Sequence, residues 1–383
     1  MPSVDVVVVG AGIQGASVAL RLARAGKRVT VLERSVPGAE ASSAAGGILS
    51  PGVEAVEPGP FYALCRASLA RYPEFVREVE EGSGMHVAWR RLGTLEVALD
   101  DDHARLLAAR AERLAAHALP VEVLDDVAVR RLEPGLSPEA RGALFFEDEA
   151  SLDPRLLGRA VYVAAARAGA RFVSGEVRRI AVEGGRAVGV DHATGRIAAG
   201  AVVLAAGSWS MLVEGHGLPP GAVRPVRGQI AVVDTRPPLL SRVIFSGNGY
   251  VVPRPDGRVL CGSTMEEVGF EKAVTAGGLR HVLEVGIEIA PALAQAPVVE
   301  TWANFRPASP DGEPILGPGS VPGLFYATGH TRNGILLAPI TADAIAAAVL
   351  GGASPVDLAP FSPARLGAGR GAPPEVVPAD PRP

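Results

Sequence analysis

The chain contains very little cysteine, with only Cys65 and Cys261 among its 383 residues. These two cysteines have no redox or metal-ligand spacing, and the seven histidines are equally scattered. The sequence therefore predicts neither a disulfide framework nor a metal centre, and a reduced, cytoplasmic setting fits this composition. A Ser/His/Asp-type nucleophile motif is also missing, which argues against hydrolysis by acyl transfer.

Charge and hydropathy exclude further classes of partner. The net charge is −4 with no long run of one sign, so nucleic acid and anionic membrane surfaces are poor candidates. No apolar stretch is long enough to suggest a membrane-spanning helix. The first apolar run has no basic segment before it and is soon interrupted by glycines, so we interpret it as a buried strand and not as a signal peptide.

The apolar content, 48% of residues, is ample for two domains in a chain of this length. The element pattern predicts an α/β protein: a discontinuous, Rossmann-like dinucleotide-binding domain with a β-meander, and a second domain built on an antiparallel sheet. We predict residues 1–84, 151–222 and 306–352 for the first domain and residues 85–150 and 223–305 for the second. Residues 353–383 are rich in Pro, Gly and Ala, and the last part is expected to be poorly ordered.

The N-terminal segment carries the first chemical signal. The apolar run at residues 4–9 leads into Gly-Ala-Gly-Ile-Gln-Gly. In such a unit Gly10 allows the tight turn, Gly12 lets a pyrophosphate approach, and Gly15 lets helix and strand pack closely. Glu33 ends the next apolar run, where a carboxylate can accept hydrogen bonds from ribose hydroxyls. The alternative is a glycine-rich turn with no ligand.

Further motifs lie far along the chain. They are SSAAGGILSP from residue 42, SGEV from 174, VVPRPDGRVLCGSTME from 251, WANFRPASPDGEPILG from 302 and ATGHTRNGILLAP from 327. Through them the chain resembles the D-amino-acid oxidase and sarcosine oxidase superfamily, and within it the glycine oxidases of thiamine biosynthesis. The resemblance extends to about Arg365. It implies that the Rossmann-like domain binds FAD, that the antiparallel-sheet domain is the substrate domain, and that glycine, sarcosine or D-alanine is oxidised to the imine. Dioxygen would be reduced to hydrogen peroxide, and the glycine imine would supply thiazole synthesis.

The same resemblance implies roles for three residues around the substrate. Tyr250 would donate a hydrogen bond to the substrate carboxylate, and Arg306 would form a two-pronged salt bridge to it. Arg332 would lie beside substrate and flavin, and its backbone carbonyl is a candidate acceptor for the substrate amine. Met265 would form the floor of the pocket. The sequence departs from the glycine oxidase pattern at Asn248, where histidine is expected, which affects the polarity of the entrance.

The resemblance also implies which residues bind FAD. Those near the N-terminus, beside Gly10, Gly12 and Gly15, are Ile13, Gln14, Glu33, Arg34, Ser42, Ser43, Gly46, Gly47 and Ile48. Val177 would meet the adenine through its backbone. The turn after Gly329 would present N–H groups to the flavin ring from His330, Thr331, Arg332, Asn333, Gly334, Ile335 and Leu336. The segment Trp302-Ala303-Asn304-Phe305 offers no cysteine for a covalent flavin bond, so non-covalent FAD is expected.

Several alternatives stay open at this point. Arg306 also fits a surface ion pair, Tyr250 a core tyrosine, and His330 either a turn residue or a base. A D-amino-acid or sarcosine dehydrogenase with another electron acceptor is the nearest rival function. In a nicotinamide dehydrogenase the turn after Gly329 would have no function. A non-catalytic FAD protein would not need the carboxylate-binding residues. A homo-oligomer is expected from the family.

Overall fold

The computed structural model describes residues 4–54, 58–247 and 249–367. Within them the strands are β1 (Val4–Val9), β2 (Val29–Glu33), β3 (Ile48–Leu49), β4 (Thr94–Ala98), β5 (Glu122–Asp125), β6 (Gly142–Phe146), β7 (Ala150–Ser151), β8 (Arg171–Ser174), β9 (Val177–Glu183), β10 (Arg186–His192), β11 (Gly195–Leu204), β12 (Arg224–Asp234), β13 (Val243–Ser246), β14 (Gly249–Pro253), β15 (Arg258–Gly262), β16 (Val298–Ala308), β17 (Ile315–Pro318) and β18 (Leu324–Thr328). The α-helices are α1 (Ile13–Arg24), α2 (Ala41–Ala44), α3 (Pro51–Glu54), α4 (Pro60–Ser83), α5 (Asp101–Ala116), α6 (Asp126–Leu132), α7 (Pro154–Arg167), α8 (Ala276–Ile289) and α9 (Ala338–Leu350).

The first sheet is mostly parallel. Its strands run in the order β8-β2-β1-β11-β18, with β17 antiparallel at one edge. The valine run of β1 is buried on both faces, because Val6 and Val8 pack under helices while Val7 and Val9 pack under the β9-β10-β11 meander. The predicted meander is therefore present. Since parallel strands end at the same edge, the segments after β1, β2 and β11 meet there.

Helices α1 and α9 pack on the other face of this sheet, α7 packs on α1, and α4 packs on α7 and α9. A shared ion-pair cluster joins three of them. Asp343 in α9 accepts from Arg21 Nε of α1 at 2.7 Å and from Arg71 Nε of α4 at 2.9 Å. Arg21 also pairs with Glu78. The N-terminal and C-terminal parts of the chain are thus held together behind the sheet.

The second sheet has the order β16-β12-β15-β14-β13-β4-β6-β5. The predicted hairpin around Asp256 and Gly257 is formed by β14 and β15. The sheet is antiparallel, as predicted, except at one pair, because β4 and β13 run parallel. These strands are not hairpin neighbours: the chain passes through the first sheet between them, and a long crossover permits parallel pairing.

The domain boundaries remain predictions. Strand β16 runs through the boundary predicted between residues 305 and 306. It pairs with β12 along most of its length, from Arg224 opposite Ala308 to Val233 opposite Val298. The predictions for Asn248 and for the end of the C-terminal extension, from residue 368 onward, lie outside the described residues.

Candidate active site

A cavity of about 1,550 Å³ lies between the two sheets and is lined by elements of both. Of the residues predicted from the sequence, it brings together Gly10, Gly12, Ile13, Gln14, Glu33, Arg34, Ser42, Gly46, Gly47, Ile48, Val177, Tyr250, Met265, Arg306, His330, Thr331, Arg332, Gly334 and Ile335. It does not bring Gly15, Ser43, Asn333 or Leu336 to its wall. Gly15 instead packs against the turn, since a Cβ there would lie 2.0 Å from the Gly10 carbonyl oxygen.

The glycine turn between β1 and α1 forms one end of the cavity. Gly10 has φ 98°, and a Cβ there would lie 2.6 Å from the Ala205 carbonyl oxygen, so the position requires glycine. Gly12 precedes α1, whose first N–H, on Ile13, donates to Ser42 Oγ at 2.8 Å. The turn therefore presents close backbone and a helix N-terminus, which suit a pyrophosphate.

Glu33 lies at the end of β2 beside this turn. Its Oε2 accepts from the Ala11 N–H at 2.8 Å and its Oε1 from the Ser35 N–H at 3.0 Å. These bonds fix the carboxylate at the cavity wall, and each oxygen keeps a further lone pair for a hydroxyl donor. The neighbouring Arg34 lies over the Trp209 ring, 3.7 Å from its centroid.

The segment from Ser42 to Ile48 is held by residues that the sequence did not single out. Arg254 is buried and donates to the Gly46 carbonyl at 2.8 Å and to the Leu152 carbonyl at 2.7 Å. Burial lowers the pKa of Arg254 to about 10, so it stays charged near neutral pH. Trp302 Nε1 donates to the Ala44 carbonyl at 3.0 Å. Arg254 stands within the VVPRPDG motif, which was its only sequence signal.

The turn after Gly329 forms the opposite wall. Helix α4 holds it from behind, since Ser68 Oγ donates to the Leu336 carbonyl at 2.6 Å and the Tyr72 hydroxyl donates to the Ile335 carbonyl. Gln14 Nε2 donates to the Gly334 carbonyl at 2.6 Å. The sequence is thus folded so that the two ends of the predicted cofactor site touch directly.

Not every N–H of this turn is available to a flavin. The Thr331 N–H donates to the Pro307 carbonyl at 3.0 Å, and the Asn333 N–H to the His330 carbonyl at 2.9 Å. Within the described ranges the N–H groups of Gly334 and Ile335 make no such bond, and both residues line the cavity.

Burial lowers the pKa of His330 to about 3, and its Nε2 lies 3.1 Å from Thr341 Oγ1. A neutral, hydrogen-bonded ring favours the interpretation of His330 as a turn residue.

Tyr250 and Arg306 approach each other at the end of the cavity formed by the second sheet. Arg306 Nη2 donates to Ser263 Oγ at 2.6 Å and Nη1 to the Thr264 carbonyl at 3.0 Å. Gly228 makes room for this guanidinium, because a Cβ there would lie 2.3 Å from Nη1. Burial lowers the pKa of Arg306, and its interaction with Tyr250 opposes that shift. A fixed, partly buried guanidinium beside a phenol hydroxyl suits a small carboxylate.

Arg332 lies across from this pair and forms an ion pair that the sequence did not reveal. Its Nη2 is 2.9 Å from Glu54 Oε2, and the Glu54 side chain is only 11% exposed. Both residues line the cavity with Arg306. Glu54 stands in no recognisable motif, so only the folded structure shows that a carboxylate lies here.

The cavity fits FAD by its own chemistry. One end has a glycine turn, a helix N-terminus and a fixed acidic residue, and the middle has backbone N–H groups without partners in the described chain. The sequence matches the family described as FAD dependent oxidoreductase (DAO) over residues 5–348. This chain belongs to that family. The predicted superfamily, fold class and FAD cofactor are thereby confirmed, and the protein is an FAD-dependent oxidoreductase.

Several relatives are similar over most of the chain. Glycine oxidase of Geobacillus kaustophilus is 34% identical over 362 residues, 94% of this chain and 96% of the relative. The crystal structure of glycine oxidase from that species matches with a TM-score of 0.89 at 33% identity, covering 94% of this chain and 98% of the other. Hydrogen cyanide synthase subunit HcnC of Pseudomonas aeruginosa is 32% identical over an alignment of 407 positions, which covers 94% of this chain and 96% of the relative.

A second kind of relative is longer. The bifunctional protein ThiO/ThiG of Trichormus variabilis is 35% identical over 351 residues, which is 89% of this chain but 52% of the relative. The chain thus spans about half the length of the bifunctional proteins that it matches. Among the described residues, no group of three or more metal-ligating side chains is found, and no helix is long and apolar enough to cross a membrane.

A buried carboxyl behind the cavity gives a pH-dependent prediction. Burial raises the pKa of Glu149 from its ordinary 4.5 to about 8, although the Gly52 N–H donates to Oε1 at 2.5 Å. Between these pH values the folded state keeps a proton that the unfolded chain releases. Stability therefore falls as pH rises through this window and levels off above about 8.

We expect Glu149→Gln to remove this loss, because the amide keeps an acceptor for Gly52 and carries no titrating proton. The melting temperatures of wild type and variant, measured from pH 5 to pH 9, should diverge in favour of the variant as pH rises. A temperature difference that stays constant across this range would contradict the assignment.

Proposed function

We propose that this protein is a glycine oxidase-type enzyme that oxidises glycine, sarcosine and D-alanine to the imine while dioxygen is reduced to hydrogen peroxide. The observation that carries the proposal is Arg306, fixed beside Tyr250 in a cavity of FAD-binding character. The names of similar proteins support the choice of glycine. We also propose that the glycine imine supplies thiazole synthesis in thiamine biosynthesis, in line with the similarity to ThiO/ThiG.

The chain's own residues bind and orient the substrate. Arg306 and Tyr250 hold the carboxylate, and the backbone carbonyl of Arg332 accepts from the amine, so that the α-carbon faces the cofactor. FAD, when bound, would supply the two-electron acceptor: the electrons leave the α-carbon as a hydride, a proton leaves the amine, and dioxygen takes up both electrons as hydrogen peroxide. No protein base is required when the amine enters neutral, which agrees with a neutral, buried His330.

Selectivity for small substrates follows from this arrangement. Met265 lines the cavity and would narrow the space beside the α-carbon. An apolar wall discriminates each added methylene by only about 1–3 kcal/mol, so activity should decline gradually with side-chain size. L-amino acids should not be oxidised. When the carboxylate and the amine are both fixed, the α-hydrogen faces the cofactor in only one enantiomer.

The direct test is a panel of amino acids with coupled peroxide detection on purified yellow protein. Glycine and sarcosine should give the highest kcat/KM. A higher kcat/KM for D-phenylalanine or D-proline would replace the proposal with a broader D-amino-acid oxidase. Dye reduction without peroxide would favour a dehydrogenase, and cyanide among the products of glycine would favour the activity that HcnC's name describes.

The FAD is proposed to be non-covalent. Both cysteines are buried in the hydrophobic cores, and neither lines the cavity. Burial also raises the pKa of Cys261 to about 12, which suppresses its reactive thiolate form. Acid denaturation should therefore release the yellow colour into the supernatant. Colour that remains with the precipitated polypeptide would show a covalent bond.

Tyr250→Phe should raise KM more than it lowers kcat. The variant keeps the ring, which packs 5.4 Å from Phe245 between ring centroids, and loses only the hydroxyl. One hydrogen bond to a charged acceptor is worth about 1.5–3 kcal/mol, so KM for glycine should rise roughly tenfold or more. Steady-state kinetics would measure this, with Tyr162→Phe, whose ring packs on Phe172 away from the cavity, as the matched control. An inactive but folded Tyr250 variant would instead indicate obligatory proton transfer.

The expected homo-oligomer and cytoplasmic location are also proposals. Both rest on the family resemblance and on the composition of the chain. Size-exclusion chromatography with light scattering would give the number of subunits.

A further inference from the structure

The substrate end of the cavity holds three charged side chains in electrostatic contact. Arg306 and Arg332 carry positive charge, and Glu54 carries a negative one. Both of the other groups affect the pKa of Arg306. Burial lowers this pKa most, the nearby Arg332 lowers it further, and Glu54 opposes the shift. The local sum is one positive charge, which matches one substrate carboxylate.

The backbone just before Glu54 is fixed by several contacts. Glu54 ends the short helix α3, where Gly52 is bound from two sides: Glu149 accepts from its N–H, and Arg110 donates to its carbonyl. Gly52 also packs so closely that a Cβ would lie 2.3 Å from Phe146 Cδ1. These contacts place the short helix so that the Glu54 side chain, only 11% exposed, lies beside Arg332.

We propose that Glu54 is a specificity-determining residue that limits the substrates of this enzyme to monocarboxylic amino acids. It occupies the Arg332 guanidinium and repels a second carboxylate on the substrate, whether that group is on the side chain or on the amine nitrogen. This inference rests on the proposed function, because it concerns the same substrate site.

One other cavity carboxylate offers a control without this ion pair. Glu288 lines the cavity but is exposed, and no ion pair to it is found in the described residues. Replacing Glu288 removes one negative charge without releasing an arginine. Glu288→Gln is therefore the matched control for Glu54→Gln.

The test uses the purified holoenzyme and two pairs of substrates that differ by one carboxylate: sarcosine with iminodiacetate, and D-alanine with D-aspartate. In Glu54→Gln the ratio of kcat/KM for the dicarboxylate to that for its partner should rise roughly tenfold to a hundredfold in at least one pair. Glu288→Gln should leave both ratios near the wild-type values. Unchanged ratios in Glu54→Gln, or an equal rise in Glu288→Gln, would overturn the inference.

The better acceptance of a second carboxylate in Glu54→Gln should also depend on Arg332, which the substitution releases from its ion pair. In the double variant Glu54→Gln/Arg332→Gln the thermal stabilisation by malonate should return to the wild-type level, whereas in Glu54→Gln it should exceed that level. Malonate stabilisation that is equally strong in the double variant would show that Arg332 does not bind the second carboxylate.

A measurement on the wild-type protein keeps the inference testable even where the variant does not fold. Acetate should stabilise the holoenzyme against heat more than malonate does, at a pH where malonate carries two charges. Stronger stabilisation by malonate would contradict the inference. This result is independent of the proposed function: an enzyme that oxidises neither glycine nor sarcosine overturns the function, whereas the acetate and malonate comparison tests only whether the site excludes a second carboxylate.

Discussion

We expect Arg306→Ala to lower kcat/KM for glycine by roughly 30-fold to several thousand-fold while the protein keeps its FAD. The guanidinium offers two parallel N–H donors, and removing one partner of such a charge pair costs about 2–5 kcal/mol. Steady-state kinetics with glycine and the flavin absorbance of the purified variant would measure both quantities.

Two further variants distinguish a loss of carboxylate binding from a general loss of folded structure. Arg306→Lys keeps the charge but not the paired donors, so it should recover only part of the loss. Gly228→Ala leaves Arg306 in the sequence but places a methyl group within 2.3 Å of Nη1, so it should displace the guanidinium and raise KM. A flavin-replete Arg306→Ala enzyme with near wild-type kinetics would remove Arg306 from the site.

Arg254→Met should destabilise the protein by about 2–5 kcal/mol and weaken FAD binding, because the buried carbonyls of Gly46 and Leu152 lose their charged donor. Gly46 and Gly47 line the cavity, so movement of this segment changes the cofactor site directly. The free energy of unfolding in urea and the affinity of the apoprotein for added FAD would measure the two effects.

Arg258→Met is the control for this prediction. Arg258 stands in the same hairpin but is 40% exposed and pairs with Asp256 at the surface. Such a surface pair contributes about 0–1 kcal/mol, so the change should have little effect. Equal stability of the Arg254 and Arg258 variants would show that the buried hydrogen bonds are not needed.

The parts of the fold that depend on local patterns could be predicted from the sequence. The valine run, the glycine turn and Glu33 form a β-α-β unit, and the turn at Asp256 and Gly257 forms a hairpin. These signals depend on neighbouring residues. The residues that meet around the cavity were named through motifs, and the structure brings most of them to one cavity.

The residues that the sequence did not reveal depend on distant partners. Arg254 reaches carbonyls 208 and 102 residues away, and these bonds leave no periodic pattern. Glu54 meets Arg332 only because α3 and the turn after Gly329 lie at the same cavity. The parallel pairing of β4 and β13 likewise follows from the path of the chain between them and from no local signal.

The contact between Gln14 and Gly334, which joins positions 320 residues apart, has a consequence for biosynthesis. A ribosome releases the N-terminal glycine turn first, and that turn can fold with α1 while the opposite wall of the cavity has not yet been made. The cavity is therefore complete only after the segment beyond Gly329 has been synthesised. A premature stop before residue 329 would leave a polypeptide that contains the glycine turn but lacks the segment that forms the opposite wall of the cavity.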